Sequence, residues 1–383
     1  MGKTHNSKKI KIIGILTHFK LRKNSKGEEF CIIGGVDFAR VIQPLGYLPE
    51  DKFEVDIQYE PVKRNGKFKT PEDLAKYYDI CYFSYIESVP FYLQLKVMGL
   101  KYGMKMILDL DDNIWGVDPS HPSYQGFNPT SEETFKRSAI IVDVDGVTTT
   151  NRFLKYEINK NVRRSFDEIS IMPNFIDLSQ YDYRKIKLMK KDEITIGYMG
   201  GSSHFPDVNK PEFTKALGIV MEKYPQVRFK TTFYMPSLKA LYGYKYQYTL
   251  GRHNIYRFIE EIWPQMMSES DIMVAPLNWS SYSRSKSWIK ALEYGAGQKP
   301  VILEKIDPYE EFAGTSPETR GVCLASSTDD WVKNLTRLIE SEKLRKENGM
   351  KLYNYVKDNC TIQKNIKVYS DYFSKFDNGG KKL

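Results

Sequence analysis

A chain of 383 residues exceeds what one core usually serves, and 41% hydrophobic against 27% charged residues supply enough apolar material to exclude a disordered or collagenous chain. No run approaches 18 uncharged apolar residues, which excludes a membrane-spanning helix; even Ser138 to Val147 is broken by Asp143 and Asp145. The formal net charge is +9, of which residues 1–26 supply eight through Lys3, Lys8, Lys9, Lys11, Lys20, Arg22, Lys23 and Lys26, without an acid, leaving +1 for the rest. The N-terminus has no apolar stretch before a cleavage site, and Asn6 stands where a myristoylation signal wants Ser or Thr. Cys31, Cys81, Cys323 and Cys360 are far apart without metal-ligand spacing, so the chain reads as cytoplasmic with reduced, buried thiols.

Apolar or β-branched runs at Ile10–Leu16, Phe53–Tyr59, Ile80–Tyr85, Lys105–Leu110 and Gly146–Thr150 read as strands. Helical periodicity fills the gaps: Phe91, Leu93, Leu95, Val97, Met98 and Leu100 lead to Gly103, a helix stop. This is βαβ alternation, and it predicts a parallel sheet. It ends at Ile171–Asp177, and a charged linker, Tyr183 to Glu193, follows. A second series then opens with strand Ile194–Gly201. It continues through helix 210–224, strand Val227–Tyr234, helix Ile255–Met267 with Pro264 kinking or ending it, strand Asp271–Leu277, helix Ser285–Tyr294 and strand Pro300–Leu303. Leu352, Tyr355 and Val356, then Ile366, Tyr369, Tyr372 and Phe373, predict two closing helices. The fold class is α/β with two facing doubly wound, Rossmann-like domains.

In such sheets ligands bind at the carboxyl ends of the strands, so the first glycine turns, Gly34-Gly35 and Gly200-Gly201, are natural sites. After the second come Ser202, Ser203 and His204, offering N–H groups and hydroxyls to an anion. Lys286, Lys290 and Glu293 stand at i, i+4 and i+7, on one face of a helix that begins at Ser285. Two ammonium groups can neutralise a diphosphate, and a carboxylate a turn further on can accept sugar hydroxyls; the bland alternative is a solvated face.

Ser285-Lys-Ser-Trp-Ile-Lys-Ala-Leu-Glu-Tyr-Gly-Ala-Gly-Gln-Lys-Pro-Val-Ile302 resembles the signature helix of GT-B glycosyltransferases of the family 4 type. Met172-Pro-Asn-Phe-Ile-Asp177 is similar to that family's interdomain linker. Ile196-Gly-Tyr-Met-Gly200 resembles its second opening strand, and Asp271-Ile-Met-Val-Ala-Pro-Leu277 the strand before the signature helix. The resemblance spans about Gly34 to Ile302 and implies domains at 1–178 (acceptor) and 179–356 (nucleotide sugar), with 357–383 a helix returning to the first. It departs where the family often carries a first glutamate eight positions before Glu293: this chain has Ser285. The family's N-terminal-domain histidine is also absent at its strand end, where Leu108-Asp-Leu-Asp-Asp-Asn-Ile-Trp115 stands.

Other motifs compete. Asp109, Asp111 and Asp112 can line the acceptor side and orient or deprotonate a hydroxyl, bind a metal as the other glycosyltransferase fold does, or cap a helix. Ile140-Ile-Val-Asp-Val-Asp-Gly-Val147 looks like a haloacid dehalogenase-type phosphatase strand, although that family's later lysine and acids cannot be placed. Tyr242, Tyr244, Tyr246 and Tyr248 read as a surface loop or edge strand, and His204 and His253 as ordinary polar residues.

The resemblance implies a glycosyltransferase that moves a sugar from a nucleotide diphosphate, UDP as prior, to an acceptor hydroxyl, with retention and without a metal or other cofactor. Lys286, Asp111 and Asp112 are the catalytic candidates. Gly34, Gly35, Arg40, Gly200, Gly201, Ser202, Ser285, Lys286, Lys290 and Glu293 are the donor-binding set; Lys20, Arg22, Lys63, Arg64 and Asp109 are the acceptor set. Basic loops after the first domain's strands, including Arg152, Lys155, Lys160, Arg163 and Arg164, suit a polyanion. Bacteriophage enzymes that glycosylate hydroxymethylated DNA bases share the GT-B fold, which makes DNA a concrete acceptor. A carbohydrate or lipid-linked acceptor, and a non-catalytic nucleotide-sugar or nucleic-acid binder, are the alternatives.

Overall fold

A computed structural model describes residues 9–17, 19–23, 26–59, 70–84, 86, 88–182, 192–249 and 254–377. The chain divides into two compact units: Met1–Asp112, Glu132–Pro173 and Ile362–Leu383 form unit 1, and Asn113–Ser131 with Asn174–Thr361 form unit 2.

Unit 1 holds β1 (Ile10–Ile15), β2 (Phe19–Lys23), β3 (Glu29–Ile33), β4 (Phe53–Gln58), β5 (Ile80–Phe83), β6 (Lys105–Leu110), β7 (Gly146–Thr149) and β8 (Ile169–Ile171). Its main sheet has the order β4-β1-β5-β6-β7-β8 and every pairing is parallel. Parallel strands with both faces covered by helices must be apolar throughout, and Ile12, Ile13, Ile80, Phe83, Ile107 and Val147 are all buried. The helix Val89–Tyr102 stops where the sequence predicts, at Gly103, whose φ of 80° is the left-handed conformation glycine adopts without penalty. β2 and β3 form a separate antiparallel hairpin between β1 and Gly34; sequence analysis treated this stretch as a loop.

Glu132–Asp143 is helical, so Asp143 and Asp145 precede β7 instead of ending a strand. Asp145 accepts from the Met106 N–H (3.0 Å) and Lys105 (3.1 Å), at the sheet end opposite to where a phosphatase nucleophile would stand. Lys155 and Lys160 lie along the helix Arg152–Val162, whose C-terminal end, with Arg163 and Arg164, lies away from the carboxyl end of β7. Arg164 is buried and donates to the carbonyls of Ile141 (2.8 Å) and Val144 (2.9 Å), a structural task instead of an acceptor contact.

The helix Ile362–Ser374 belongs to unit 1. Tyr369 Oη donates to the Pro173 carbonyl (3.3 Å), and Phe373 packs edge-on against Tyr82 on β5 at 5.2 Å.

Unit 2 holds β9 (Ile194–Tyr198), β10 (Val227–Thr231), β11 (Tyr246–Tyr248), β12 (Ile272–Ala275), β13 (Val301–Glu304) and β14 (Val322–Ala325), in the order β11-β10-β9-β12-β13-β14 and all parallel. The tyrosine-rich ribbon supplies the edge strand β11. The helical stretch Ile255–Glu269 continues through Pro264 because the turn before it, Phe258–Ile262, widens to π geometry, which leaves room for a ring that cannot donate to the preceding turn. Among the described residues, no helix is long and apolar enough to cross a membrane.

Candidate functional site

In an open parallel sheet a ligand crevice forms at the carboxyl ends of the strands where the strand order reverses. In unit 2 that point lies between β9 and β12. Gly200 follows β9; its N–H donates to Thr232 Oγ1 (2.9 Å) and its carbonyl accepts from the same hydroxyl (2.8 Å). The Gly200 N–H, expected to face an anion, is therefore already engaged. The missing side chain of Gly200 is what matters: a Cβ there would stand 2.8 Å from Tyr198 Oη and 3.2 Å from Lys290 Nζ. Tyr198 is fully buried, and its hydroxyl finds no hydrogen-bond partner among the described residues. Gly201 and Ser202 continue the turn and are exposed.

Lys290 comes from the helix Ile289–Ala296, which the sequence analysis began too early, at Ser285. One turn on, Tyr294 Oη accepts from Met199 N–H (3.2 Å) and donates to the Val274 carbonyl (3.3 Å), tying this helix to the ends of β9 and β12. Among the described residues no carboxylate comes within ion-pairing distance of the half-buried Lys290. Burial lowers its pKa below the usual lysine range and Lys286 adds repulsion, against the pull of Glu293 and Asp207. Lys210, by contrast, is buried against Glu304 Oε1 at 2.8 Å and reads as structural.

Lys286 precedes the helix. It donates to Tyr282 Oη (2.8 Å) and lies 4.0 Å from that ring's centre, while His121, from the segment Asn113–Ser131, packs on Tyr282 at 4.8 Å. Ser285 is a correction: it is fully buried with its hydroxyl on the Ser281 carbonyl (2.8 Å), because it closes the short helix Ser281–Arg284. Glu293 receives Tyr181 Oη at 3.4 Å. Burial raises its carboxyl to about 7, against the pull of Lys290 and that hydroxyl.

His204 and Asp207 join this site although sequence analysis gave them no role. His204 Nδ1 lies 2.9 Å from Asp207 Oδ2, and Asp207 Oδ1 accepts from the N–H of Asn278, beyond β12, at 2.9 Å. The readable signal was an acid three residues after a histidine in a glycine turn; the Asn278 contact across the strand-order reversal was not readable.

In unit 1 the reversal lies between β1 and β5. Its carboxyl end holds a carboxylate: Asp37, fully buried, accepts from Thr17 N–H (2.9 Å) and Ser84 Oγ (3.4 Å), while Thr17 Oγ1 and Ser84 Oγ stand 3.0 Å apart. Gly34 caps the short helix Gly35–Asp37 without a side-chain cap bond. Arg40 and Asp109 are corrections. Both are fully buried and hold each other through Nε–Oδ2 (2.8 Å) and Nη2–Oδ1 (2.7 Å), with Arg40 Nη1 on the Met172 carbonyl (2.7 Å) and Thr148 Oγ1 on Asp109 (2.5 Å). With these bonds made, neither group is presented to a ligand.

Asp111 and Asp112 are half-buried after β6. Among the described residues no three potential metal-ligating side chains stand together. Lys20 and Arg22 share one exposed face of the β2–β3 hairpin, where Arg22 stands opposite Phe30. Lys63 and Arg64 lie outside the described residues.

Solved structures share this two-unit fold. HepE from Anabaena, solved with UDP and glucose, superposes with a TM-score of 0.61 at 11% identity, covering 95% of this chain and 99% of that one. Sucrose-phosphate synthase from Thermosynechococcus elongatus gives 0.61 at 13% identity, over 96% and 99%. The fold is GT-B. A UDP-forming α,α-trehalose-phosphate synthase from Burkholderia xenovorans matches with 0.56 at 12% identity, over 98% and 100%. No protein-family model and no curated protein sequence matches this GT-B chain.

Proposed function

We propose that the chain is a cytoplasmic glycosyltransferase of the family 4 type that takes a sugar from a UDP-sugar, with the diphosphate held in unit 2 by Lys290 and Lys286. The observation that carries this reading is the half-buried Lys290 ammonium, without an ion-paired carboxylate among the described residues, beside a glycine that leaves room for it. A charge so placed is costly unless an anion meets it. As the glycosidic bond breaks, positive charge grows on the sugar and negative charge on the departing diphosphate, so cations fixed at the phosphate stabilise the transition state. Glu293 is suited to accept from the ribose hydroxyls, and the reaction retains configuration. Fold neighbours solved with UDP or named for UDP formation support the donor class. The test is slow donor hydrolysis across UDP-, GDP- and ADP-sugars: release of UDP alone is the expected result, and no turnover of any donor rejects the enzyme reading.

The acceptor lies with unit 1, where Asp111 and Asp112 are the groups suited to orient or deprotonate its hydroxyl. We propose an extended polyanion there, a hydroxymethylated DNA base as in the bacteriophage enzymes. Lys20 and Arg22 support it: both are exposed, neither has an ion pair among the described residues, and Phe30, 44% exposed, stands across from Arg22 as a stacking surface. Duplex DNA binding should then weaken steeply with salt, and replacing Lys20 and Arg22 together by Ala should flatten the log–log slope by about 2 while donor hydrolysis persists. Salt-insensitive or absent binding at low ionic strength moves the acceptor to carbohydrate or lipid-linked chemistry.

A further inference from the structure

The Asp207–His204 pair sits at the strand-order reversal of unit 2 with one ring nitrogen committed and one open. Asp207 is 6% exposed, and both its oxygens are occupied, by the Asn278 N–H and by His204 Nδ1. An ionised carboxylate only accepts, so Nδ1 carries the proton that joins the pair, and Nε2 is left with a lone pair while the ring is neutral. Among the described residues Nε2 has no partner. The ring lies edge-on to Tyr198 at 6.3 Å, so His204, Tyr198 and Lys290 gather at the Gly200 turn. The charged groups that act on the imidazole are Lys290 and Lys286 from beyond β12 and Asp207 from its own turn. Burial and the two lysines push it down to about 4, against the pull of Asp207.

Burial is the larger part of what keeps the imidazole neutral, and the two ammonium groups add to it only while their charge is unanswered. A diphosphate would cancel that repulsion, and Asp207 would then favour the imidazolium. Resting on the donor-site reading above, we propose that His204 is the third cationic arm of this site: neutral when the site is empty, it takes one proton from solvent at Nε2 when a diphosphate enters and donates that N–H to a phosphate oxygen. The proton returns to solvent when the nucleotide leaves, so no covalent step is involved. Asp207 is the positioning residue that sets the tautomer and the ring orientation.

The test is calorimetric titration of the whole chain with UDP near pH 6 in two buffers of different ionisation enthalpy, which counts protons taken up on binding. UDP's own terminal phosphate titrates at about pH 6, so the quantity read is the difference between the wild type and His204→Gln. The wild type should take up more protons, by up to about one, and Asp207→Asn should fall between the two. The ratio of wild-type to variant affinity should fall by up to about tenfold per pH unit as pH rises above neutrality. Equal proton counts in the wild type and His204→Gln would overturn the proposal and leave the donor site standing. Failure of UDP, GDP and ADP alike to bind the wild type would overturn the donor-site reading and this proposal with it. Should His204→Gln not fold, the imidazole resonances of the wild type decide: one histidine must titrate well below neutrality without UDP and near or above it with UDP, and an unmoved histidine rejects the idea.

Discussion

The two sheets reverse their strand order at comparable places, β1 and β5 in unit 1 and β9 and β12 in unit 2, yet the chemistry at the two places is opposite. Unit 1 fills its position with the Asp37 carboxylate and satisfies it with Thr17 and Ser84; nearby, Arg40 and Asp109 neutralise each other. Unit 2 places Lys290 and Lys286 at its position without neutralising Lys290. A glycine turn after an opening strand therefore says where a ligand can approach, and whether the adjoining charge is already paired says which turn awaits an anion.

That contrast is breakable by substitution, and the largest effect should come from unit 1. Asp109→Ala leaves Arg40 buried without its carboxylate, which should cost about 3–5 kcal/mol in denaturant unfolding; a loss below ~1 kcal/mol would mean the pair is not structural. Lys290→Ala should lower donor turnover by roughly 10²-fold while leaving stability unchanged or slightly higher, since a desolvated charge is removed. Lys286→Ala should follow it in turnover. If Lys290→Ala instead unfolds the protein with little effect on catalysis per folded molecule, the contrast between the units is lost.

Gly200→Ala comes next. A methyl group 2.8 Å from Tyr198 Oη and 3.2 Å from Lys290 Nζ must displace one of them, so UDP affinity should fall by about tenfold, within the 1–3 kcal/mol that overpacking typically costs. Unchanged affinity would show that the turn yields without cost.

The smallest expected effect is the pH dependence of Glu293. Its folded pKa, about 7, is raised above the ordinary 4.5, so the folded chain binds the extra proton between those values. Its contribution to stability is therefore fully present below the unfolded value and is lost as pH rises through the folded one. Glu293→Gln should raise the melting temperature above neutral pH, change it little in mild acid, and weaken donor binding throughout. A stabilisation that is the same at both pH values would contradict this assignment.

Much of the architecture was legible because parallel strands buried on both faces must be continuous apolar runs. Lys105–Leu110 forms as predicted, and the four other strands predicted in the first domain end within two residues of their expected limits, whereas β8 was not predicted. The β2–β3 hairpin was missed although Phe19–Lys23 alternates in residue type and exposure, because the run is only five residues long and was read for its basic charge. At the site, Lys290 and Glu293 were visible through helical spacing. Arg40, Asp109 and Ser285 were misread because a sequence gives the type of a polar side chain and not its partner. Arg40 finds Asp109 from 69 positions away. The Asp207–Asn278 bond, spanning 71 positions, escaped for the same reason.

Equilibrium binding of UDP to the wild type and to Lys290→Ala, each verified as folded by its melting transition, tests most directly the claim that unit 2 holds the diphosphate. The account predicts saturable binding by the wild type and an affinity at least about tenfold weaker in the variant, the scale of a lost charge-assisted contact, with the melting transition preserved. Equal affinity in the two proteins would contradict it.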